Sequence, residues 1–379
     1  MRLLHTSDWH IGRTFHRYPT LDALRGVLAA LADEVRNRRI DAVLVAGDVF
    51  DSATPSAEAF RVFEEAVLAL RAAGAVVVMT SGNHDSAARL GHQAPFAAAG
   101  GVHVRTRAEG LDAPVVLEDE HGAVDVYGLP YLEPLMTGHR SQEAAIGAAM
   151  ERVRVAAAAR GNRSVVLSHC FASSGVRPQA AGGERDITSG GLDVVPTEAF
   201  EGVDYVALGH IHSRSVLAPH VRYSGAPLHY SFGETSPFRG AWQVDLDADG
   251  FATASWVDLP VPRALTTLRG DLQALLDDPA HEAVRDDWLQ VVLTDPGRQQ
   301  DAMARLRERF PWVAVLEHRP EGAPAADGRS YGERTAGKDD LALVGGFLEM
   351  VRDGSGPDSP EAALIAEVLA ASAAAERAA

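Results

Sequence analysis

The sequence predicts an α/β fold in which short buried strands alternate with helices. Three observations lead to this prediction. Apolar runs of three to six residues are bounded by Gly, Asp or His, segments with helical spacing separate several of them, and polar motifs follow the runs. Ligands of α/β sheets gather beyond the carboxyl ends of the strands, so we expect these motifs to meet in space.

The first 260 residues hold most of these elements and are predicted to form one domain. Five apolar segments indicate buried strands, over residues 2–7, 42–46, 75–80, 165–167 and 205–208. Helical spacing covers residues 21–38, 57–72 and 142–160. The alternating segments 241–247 and 251–259 predict a β-hairpin that closes the domain.

The pattern changes after Pro260 and Pro262, which predicts a small α+β domain over residues 261–320. Its strand-like and helix-like stretches are 265–268, 272–276, 288–293, 301–309 and 312–317. Residues 321–338 are rich in Gly, Ala and Pro and indicate a linker.

Two amphipathic helices are predicted in the last part of the chain, residues 339–379. They cover residues 340–352 and 361–378. Their apolar stripes consist of Leu341, Val344, Leu348 and Val351, then Leu364, Ile365, Val368 and Leu369. These stripes would pack either on the chain itself or in the groove of a partner.

Composition limits the function classes. The 35 basic and 52 acidic residues give a net charge of −17, which argues against a general nucleic-acid coat, so any DNA contact should be local or shared. The single cysteine, Cys170, excludes an internal disulfide and a multi-cysteine zinc site. It is either a small buried thiol or an oxidation-sensitive neighbour of His169.

No run of eighteen apolar residues occurs, and Met1 leads directly into the first predicted strand. We therefore expect no membrane segment, no signal peptide and a cytoplasmic location.

Five short motifs rich in metal-type ligands each follow an apolar run. They are Asp8, Trp9, His10; Gly47, Asp48; Gly82, Asn83, His84, Asp85; Ser168, His169; and Gly209, His210, Ile211, His212. One such motif would mean little, but together they supply carboxylate, amide and imidazole groups. This donor set suits two hard or borderline divalent metals and predicts a two-metal phosphoesterase.

Several residues can be given roles from their positions. Asp48, at the end of an apolar run, is the best bridging carboxylate, and the Asn83 amide oxygen can bind metal. His84 suits general acid catalysis, with Asp85 orienting its ring. The alternative makes His84 a ligand or a turn residue.

The motif order resembles that of the calcineurin-like metallophosphoesterases, and longer strings narrow the likeness to the SbcD family of bacterial nuclease subunits. These strings cover residues 1–13, 47–51, 81–90 and 223–234. The resemblance implies a metallophosphoesterase sandwich with helices flanking its sheets. It is dense over residues 1–235 and looser beyond.

The resemblance also implies a ligand set. One metal would be held by Asp8, His10, Asp48 and His212, and the other by Asp48, Asn83, His169 and His210. Two Mn²⁺ ions are the implied cofactors, a water would attack phosphorus in line, and His84 would protonate the departing sugar oxygen or position the phosphate. Asp51 stands where some relatives carry a second active-site histidine.

The same resemblance gives roles to the remaining segments. Residues 261–320 would cap DNA, and residues 339–379 would bind SbcC, an ABC-type ATPase. The implied activity is double-strand exonuclease and hairpin or single-strand endonuclease, regulated by ATP through SbcC in DNA repair, replication and recombination. A homodimer acting on DNA ends and hairpins is implied.

This chain itself is expected to bind no nucleotide. Its near match to a phosphate-binding loop at 332–338 is followed by Asp339 where Ser or Thr is required, and no strand precedes it.

Two other function classes fit parts of the pattern. A stand-alone metallophosphatase or cyclic-nucleotide phosphodiesterase would use the same metals, but it would need neither the small domain nor the helix pair. A non-catalytic scaffold is the third class, and the intact set of seven ligands argues against it.

Overall fold

The computed structural model describes residues 1–175, 194–320, 337–351 and 356–378. Most of the predicted linker at 321–338 and the last residue of the predicted helix at 340–352 lie outside the described residues. The chain separates into two compact units, Met1–Ala264 and Leu265–Ala379.

The first unit consists of strands and helices in alternation, as the sequence predicts. Its strands are β1 (Arg2–Thr6), β2 (Thr14–Phe15), β3 (Tyr18–Pro19), β4 (Ala42–Ala46), β5 (Val76–Thr80), β6 (Val102–Arg105), β7 (Val115–Asp119), β8 (Gly122–Leu129), β9 (Arg163–His169), β10 (Ala172–Ser173), β11 (Val195–Pro196), β12 (Tyr205–Gly209), β13 (Ser215–Ala218), β14 (Val221–Tyr223), β15 (Arg239–Asp247) and β16 (Gly250–Leu259). Its helices are α1 (Leu21–Arg38), α2 (Ala57–Ala72), α3 (Ala87–Leu90), α4 (Ala94–Ala99), α5 (Pro134–Thr137) and α6 (Gln142–Arg160), with a 3₁₀ turn at Thr197–Phe200.

Two six-stranded sheets form the centre of this unit. The first has the order β16-β15-β1-β4-β5-β6 and the second the order β13-β14-β12-β9-β8-β7. Strands β1, β4, β5 and β6 run parallel, as do β8, β9, β12 and β14. The carboxyl ends of the parallel strands within each sheet therefore meet at one edge.

The core is built from the alternation of side chains along the strands. In the first sheet, Leu4, Val43 and Val77 pack under α1 and α2. Their neighbours Leu44 and Val78 face the second sheet instead. Helix α6 covers the far face of the second sheet. The result is an α/β/β/α sandwich, and the predicted α/β class is confirmed.

Side-chain caps fix where two of the flanking helices begin. Ser56 accepts a hydrogen bond from the Ala59 amide at 3.2 Å, and Ser141 accepts one from the Ala144 amide at 3.1 Å. These caps agree with the predicted starts of α2 and α6.

The second unit contains a three-stranded parallel sheet of order β17-β18-β19, followed by two helices. The elements are β17 (Leu265–Gly270), α7 (Leu272–Asp277), a 3₁₀ turn at Pro279–Val284, β18 (Trp288–Leu293), α8 (Ala302–Arg309), β19 (Val313–His318), α9 (Asp340–Val351) and α10 (Ser359–Ala378). Leu289, Val291 and Leu306 are central to its own small core. Among the described residues, no helix combines the length and hydropathy needed to span a bilayer.

Candidate metal centre

All seven predicted ligands lie just beyond or at the carboxyl ends of central strands. Those of the first sheet follow β1, β4 and β5, and those of the second sheet follow or end β9 and β12. They are Asp8, His10, Asp48, Asn83, His169, His210 and His212. Six are buried, and Asn83 is partly exposed. The structure thus brings together residues that span more than half the chain.

Backbone strain is concentrated at these ligands. Asp8, His10, Asp48 and His210 have positive φ values of 53°, 44°, 47° and 105°. This region of backbone space costs a residue with a side chain about 1–3 kcal/mol, and it persists where surrounding contacts enforce it. The Asp8 amide donates to the Gly47 carbonyl at 3.1 Å, and the His10 amide donates to the Asp48 carbonyl at 3.0 Å.

Two glycines allow the sheets to approach each other at the centre. Gly47 has a φ of 79°, and a Cβ there would collide with the His169 ring. A Cβ on Gly209 would collide with the Ala46 carbonyl. Side chains from both sheets can therefore reach the same point.

One group of donor atoms surrounds His10. Its Nε2 lies 3.0 Å from Nε2 of His212 and 3.6 Å from Oδ2 of Asp48. Ligand atoms of Asp8, His10 and His212 lie within 4.8 Å of one another. The Asp8 carboxylate also accepts the His210 amide at 3.0 Å, which fixes its orientation.

A second group surrounds Asn83. Its Oδ1 lies 3.1 Å from Nε2 of His169 and 3.2 Å from Nδ1 of His210. His169 Nε2 is also 3.3 Å from Oδ2 of Asp48. Asp48 is therefore common to both groups, as a bridging carboxylate must be.

In His169 and His212 the Nδ1 proton points away from the centre, which leaves Nε2 of each ring to bind a cation. His169 Nδ1 donates to the Ala46 carbonyl at 2.9 Å, and His212 Nδ1 donates to the Glu234 carboxylate at 3.0 Å. Their Nε2 lone pairs then face other acceptors, namely Asp48 and Asn83 for His169, and His10 for His212. Acceptors that face each other at such distances require a proton or a metal ion between them.

The titration of the buried groups agrees with a site for positive charge. Burial opposes a charged His169, but Asp48, together with Asp8 and the Ala46 carbonyl, raises the pKa of His169 to about 9. Burial would raise the pKa of Asp48, but His169 and His10 hold it well below its ordinary value. Burial, followed by His169, lowers the pKa of His210 to about 3. A metal ion would thus replace a proton at His169.

His84 lies beside the donor atoms and is partly exposed, with 19% of its side chain accessible. Its Nδ1 donates to the Asp51 carbonyl at 2.9 Å, and its amide donates to Oδ1 of Asp48 at 2.9 Å. Because Nδ1 is occupied, Nε2 is the nitrogen left for a reacting group.

The prediction that Asp85 orients the His84 ring is wrong. The Asp85 carboxylate accepts instead from the backbone amides of Val49, Phe50 and Gly82 at 2.8–3.0 Å. Asp85 therefore fixes the loop after β4, while Asp51 contacts the ring.

Sequence reasoning missed a buried ion pair behind His212. Glu234 accepts from Arg239 Nη2 at 2.7 Å, and Arg239 Nη1 donates to the His212 carbonyl at 2.6 Å. Glu234 is 1% exposed and Arg239 is 3% exposed. Carboxylate–histidine pairs of this kind orient metal ligands. A signal was available, because Glu234 ends the string 223–234, but it follows no predicted strand.

Cys170 is fully buried beside Ser168. Burial raises the pKa of its thiol to about 12, so the reactive thiolate is disfavoured at neutral pH. This supports the interpretation of Cys170 as a small buried thiol.

Comparisons with known proteins match both parts of the chain. A profile of the calcineurin-like phosphoesterases matches residues 1–214, and one described as "Type 5 capsule protein repressor C-terminal domain" matches residues 261–352. A curated relative, the D subunit of the SbcCD nuclease of Staphylococcus epidermidis, is 24% identical over 326 residues, which cover 84% of this chain and 85% of the relative. The resemblance to SbcD is thereby confirmed.

Two solved structures are similar at low sequence identity. The protein TT1561 of Thermus thermophilus matches with a TM-score of 0.41 and 14% identity over 68% of this chain and 98% of its own. A dimetal phosphatase from Danio rerio matches with a TM-score of 0.40 and 13% identity over 68% of this chain and 96% of its own.

Proposed function

The chain belongs to the calcineurin-like phosphoesterase family, and we propose that it is the nuclease subunit of an SbcCD-type complex. The observation that carries this proposal is the cluster of carboxylate, amide and imidazole atoms that the two sheets bring together around Asp48. The curated relative and the match over residues 261–352 support a nuclease within the family.

Asp8, His10, Asp48 and His212 would hold one divalent ion, and Asp48, Asn83, His169 and His210 the other. When bound, two such ions stabilise the attacking and leaving oxygens of a phosphodiester during in-line displacement. Manganese is the proposed metal, because the resemblance to SbcD implies it.

His84 would supply the proton for the leaving oxygen. The Asp51 carbonyl holds the Nδ1 proton, so a protonated ring presents its second proton on Nε2. The partial exposure of His84 leaves room for a substrate to reach that nitrogen. Six of the seven ligands, in contrast, are buried.

The remaining segments are assigned to DNA and to a partner. Residues 261–320 would cap DNA, and residues 339–379, after a linker at 321–338, would bind the ABC-type ATPase SbcC. Exposed apolar side chains on α9 and α10 support this, with Leu341 at 45%, Phe347 at 50%, Leu364 at 61% and Val368 at 59% accessibility. The chain would act as a homodimer, in DNA repair, replication and recombination.

The test uses purified protein with and without SbcC and ATP. Blunt duplex and hairpin DNA, each end-labelled, are incubated with Mn²⁺, with EDTA as the matched control. We expect Mn²⁺-dependent shortening of the duplex and opening of the hairpin, both accelerated by SbcC with ATP. Hydrolysis of a chromogenic phosphodiester without any cleavage of DNA would contradict the proposal and favour the stand-alone phosphodiesterase.

A further inference from the structure

A basic cavity lies at the free edge of the first sheet, apart from the ligand cluster. It has a volume of about 290 Å³ and is lined by residues of α4, β6 and the segment after β6, together with Gly91 after α3 and Gly128 of β8. Its charged or titratable lining residues are His103, Arg105, Arg107 and Glu109. The lining thus holds two arginines and one carboxylate in a chain whose net charge is −17.

Arg105 is the central residue of this cavity. It is half-buried, and within the described chain its guanidinium has no hydrogen bond or ion pair with any protein group. The more deeply buried arginines differ, because Arg163 binds Asp119 and Arg239 binds Glu234. A half-buried guanidinium that no protein acceptor occupies is available to bind an anion that enters the cavity.

The stem of Arg105 is held in place by the second sheet. A Cβ added to Gly128 would lie 2.6 Å from the Arg105 Cβ, so the arginine packs directly on the glycine backbone. Such packing limits the freedom of the side chain before a ligand binds. Burial lowers the pKa of His103, and the nearby Arg105 and Arg71 lower it further, as expected where the local potential is positive.

The cavity shares an edge of the sheet with the metal centre. Arg105 ends β6 and pairs in register with Thr80, which ends β5 and leads to Asn83 and His84. Strand β6 is two strands from β4, which leads to Asp48. At ordinary strand spacing this is about 10 Å, or roughly three nucleotides at the ~3.4 Å rise of a DNA strand.

We propose that Arg105, assisted by Arg107 and His103, binds a backbone phosphate of the DNA strand a few nucleotides from the bond to be cleaved. This inference rests on the proposed nuclease function. A free phosphate, such as that of a mononucleotide product, has the same chemistry, so the experiment separates the two sources.

The experiment measures the affinity of a fluorescent blunt duplex by anisotropy in EDTA, across a series of KCl concentrations from low to physiological. Each phosphate contact contributes about 0.9 to the slope of log affinity against log salt. We expect Arg105→Gln to lower this slope by about 0.9 and to weaken binding about tenfold at the lowest salt, and Arg107→Gln to act in the same direction. Arg36→Gln is the matched control, because Arg36 lies on the last turn of α1, which leads to the amino end of β4, away from the carboxyl ends that carry the centre.

Equal slopes for the Arg105 and Arg36 variants, or no measurable binding by the unaltered protein, would overturn the phosphate site. Loss of binding of a mononucleotide by Arg105→Gln, with an unchanged DNA slope, would also overturn it in favour of a free-phosphate site. Hydrolysis of a chromogenic phosphodiester with Mn²⁺ should be unchanged in Arg105→Gln. If the unaltered protein cleaves no DNA while the slope still changes, the nuclease function fails and the phosphate site stands.

Discussion

The metal centre and the C-terminal helices differ in the burial of the side chains on which their proposed roles depend. At the centre, six of seven ligands are buried, and their polar atoms are oriented by contacts within the chain. On α10, Leu364 and Val368 expose 61% and 59% of their surface. A buried polar cluster supports chemistry that the chain performs itself, whereas an exposed apolar stripe indicates a surface completed by another molecule.

The largest effect is expected for a substitution of Asp48, which should affect the metal centre and leave the C-terminal helices unaffected. Asp48→Ala removes the carboxylate common to both donor groups, so both metals should be lost and cleavage should fall to background. Binding of SbcC should not change. Metal content after gel filtration and the rate of DNA cleavage measure the first effect, and affinity for SbcC measures the second. Retention of two metals per chain by this variant would exclude Asp48 as the bridge.

His84→Ala should remove chemistry without removing metal. Loss of a general acid typically costs about 10²–10⁴-fold in rate. We expect a cleavage rate reduced by that amount, with metal content equal to that of the unaltered protein. Unchanged cutting would refute the acid role, and loss of metal would favour the alternative in which His84 is a ligand.

Glu234→Gln tests whether the buried network behind the centre orients His212. The amide can still accept the His212 proton but loses its charge, and outer-shell changes of this kind cost about 10–100-fold in metal affinity. Isothermal titration with Mn²⁺ measures the change. Glu118→Gln, on β7, is the control. Equal affinities for the two variants would show that Glu234 has only a structural role.

Leu364→Gln tests the exposed apolar face of α10. Loss of one apolar contact in a helix-in-groove interface should weaken SbcC binding about tenfold, which corresponds to about 1.4 kcal/mol. Glu367→Gln on the same helix is the matched control, and Mn²⁺ affinity should be unchanged in both. Undiminished SbcC binding by Leu364→Gln would exclude this face of α10 from the interface.

The last prediction concerns stability below neutral pH, away from both regions. His5 accepts from the Tyr205 hydroxyl and donates to the Leu208 carbonyl, each at 3.0 Å, and burial is the main reason that its pKa falls to about 3. In the unfolded chain His5 binds a proton near pH 6.5, whereas in the folded chain it stays neutral down to about pH 3. Stability from this group should therefore decline below about pH 6.5, by up to about 1.4 kcal/mol per pH unit until about pH 3.

His5→Gln should flatten this acid limb in urea unfolding measured at several pH values, even if it lowers stability at neutral pH. An acid limb as steep as that of the unaltered protein would assign the effect to other groups.

The sequence alone predicted the features that depend on local pattern. The strands ending near Ser7, Ala46 and Thr80 and the helices beginning at Leu21 and Ala57 followed from apolar spacing, and their motifs do converge. The residues themselves did not show that the strands divide between two sheets, because the sequence of a strand does not reveal which sheet it joins. The family resemblance implied this division.

The spacing of apolar residues did not reveal the functional residues that lie in loops or on an edge strand. Glu234 and Arg239 meet His212 through a segment with no periodicity, and Asp51 contributes a backbone carbonyl, which any residue type could supply. Arg105 lies on the edge strand β6, which was not predicted, because four residues of mixed polarity carry too weak a signal.

The ligands come from both sheets, so an ion shared by Asp48 and His169 would join the two halves of the sandwich like a cross-link. Such a link exists only in the folded chain, and its binding energy adds to the resistance of the domain to unfolding. Loss of the metal ions would then reduce stability as well as activity. The two sheets would be less firmly attached, and the protein would be more susceptible to proteolysis.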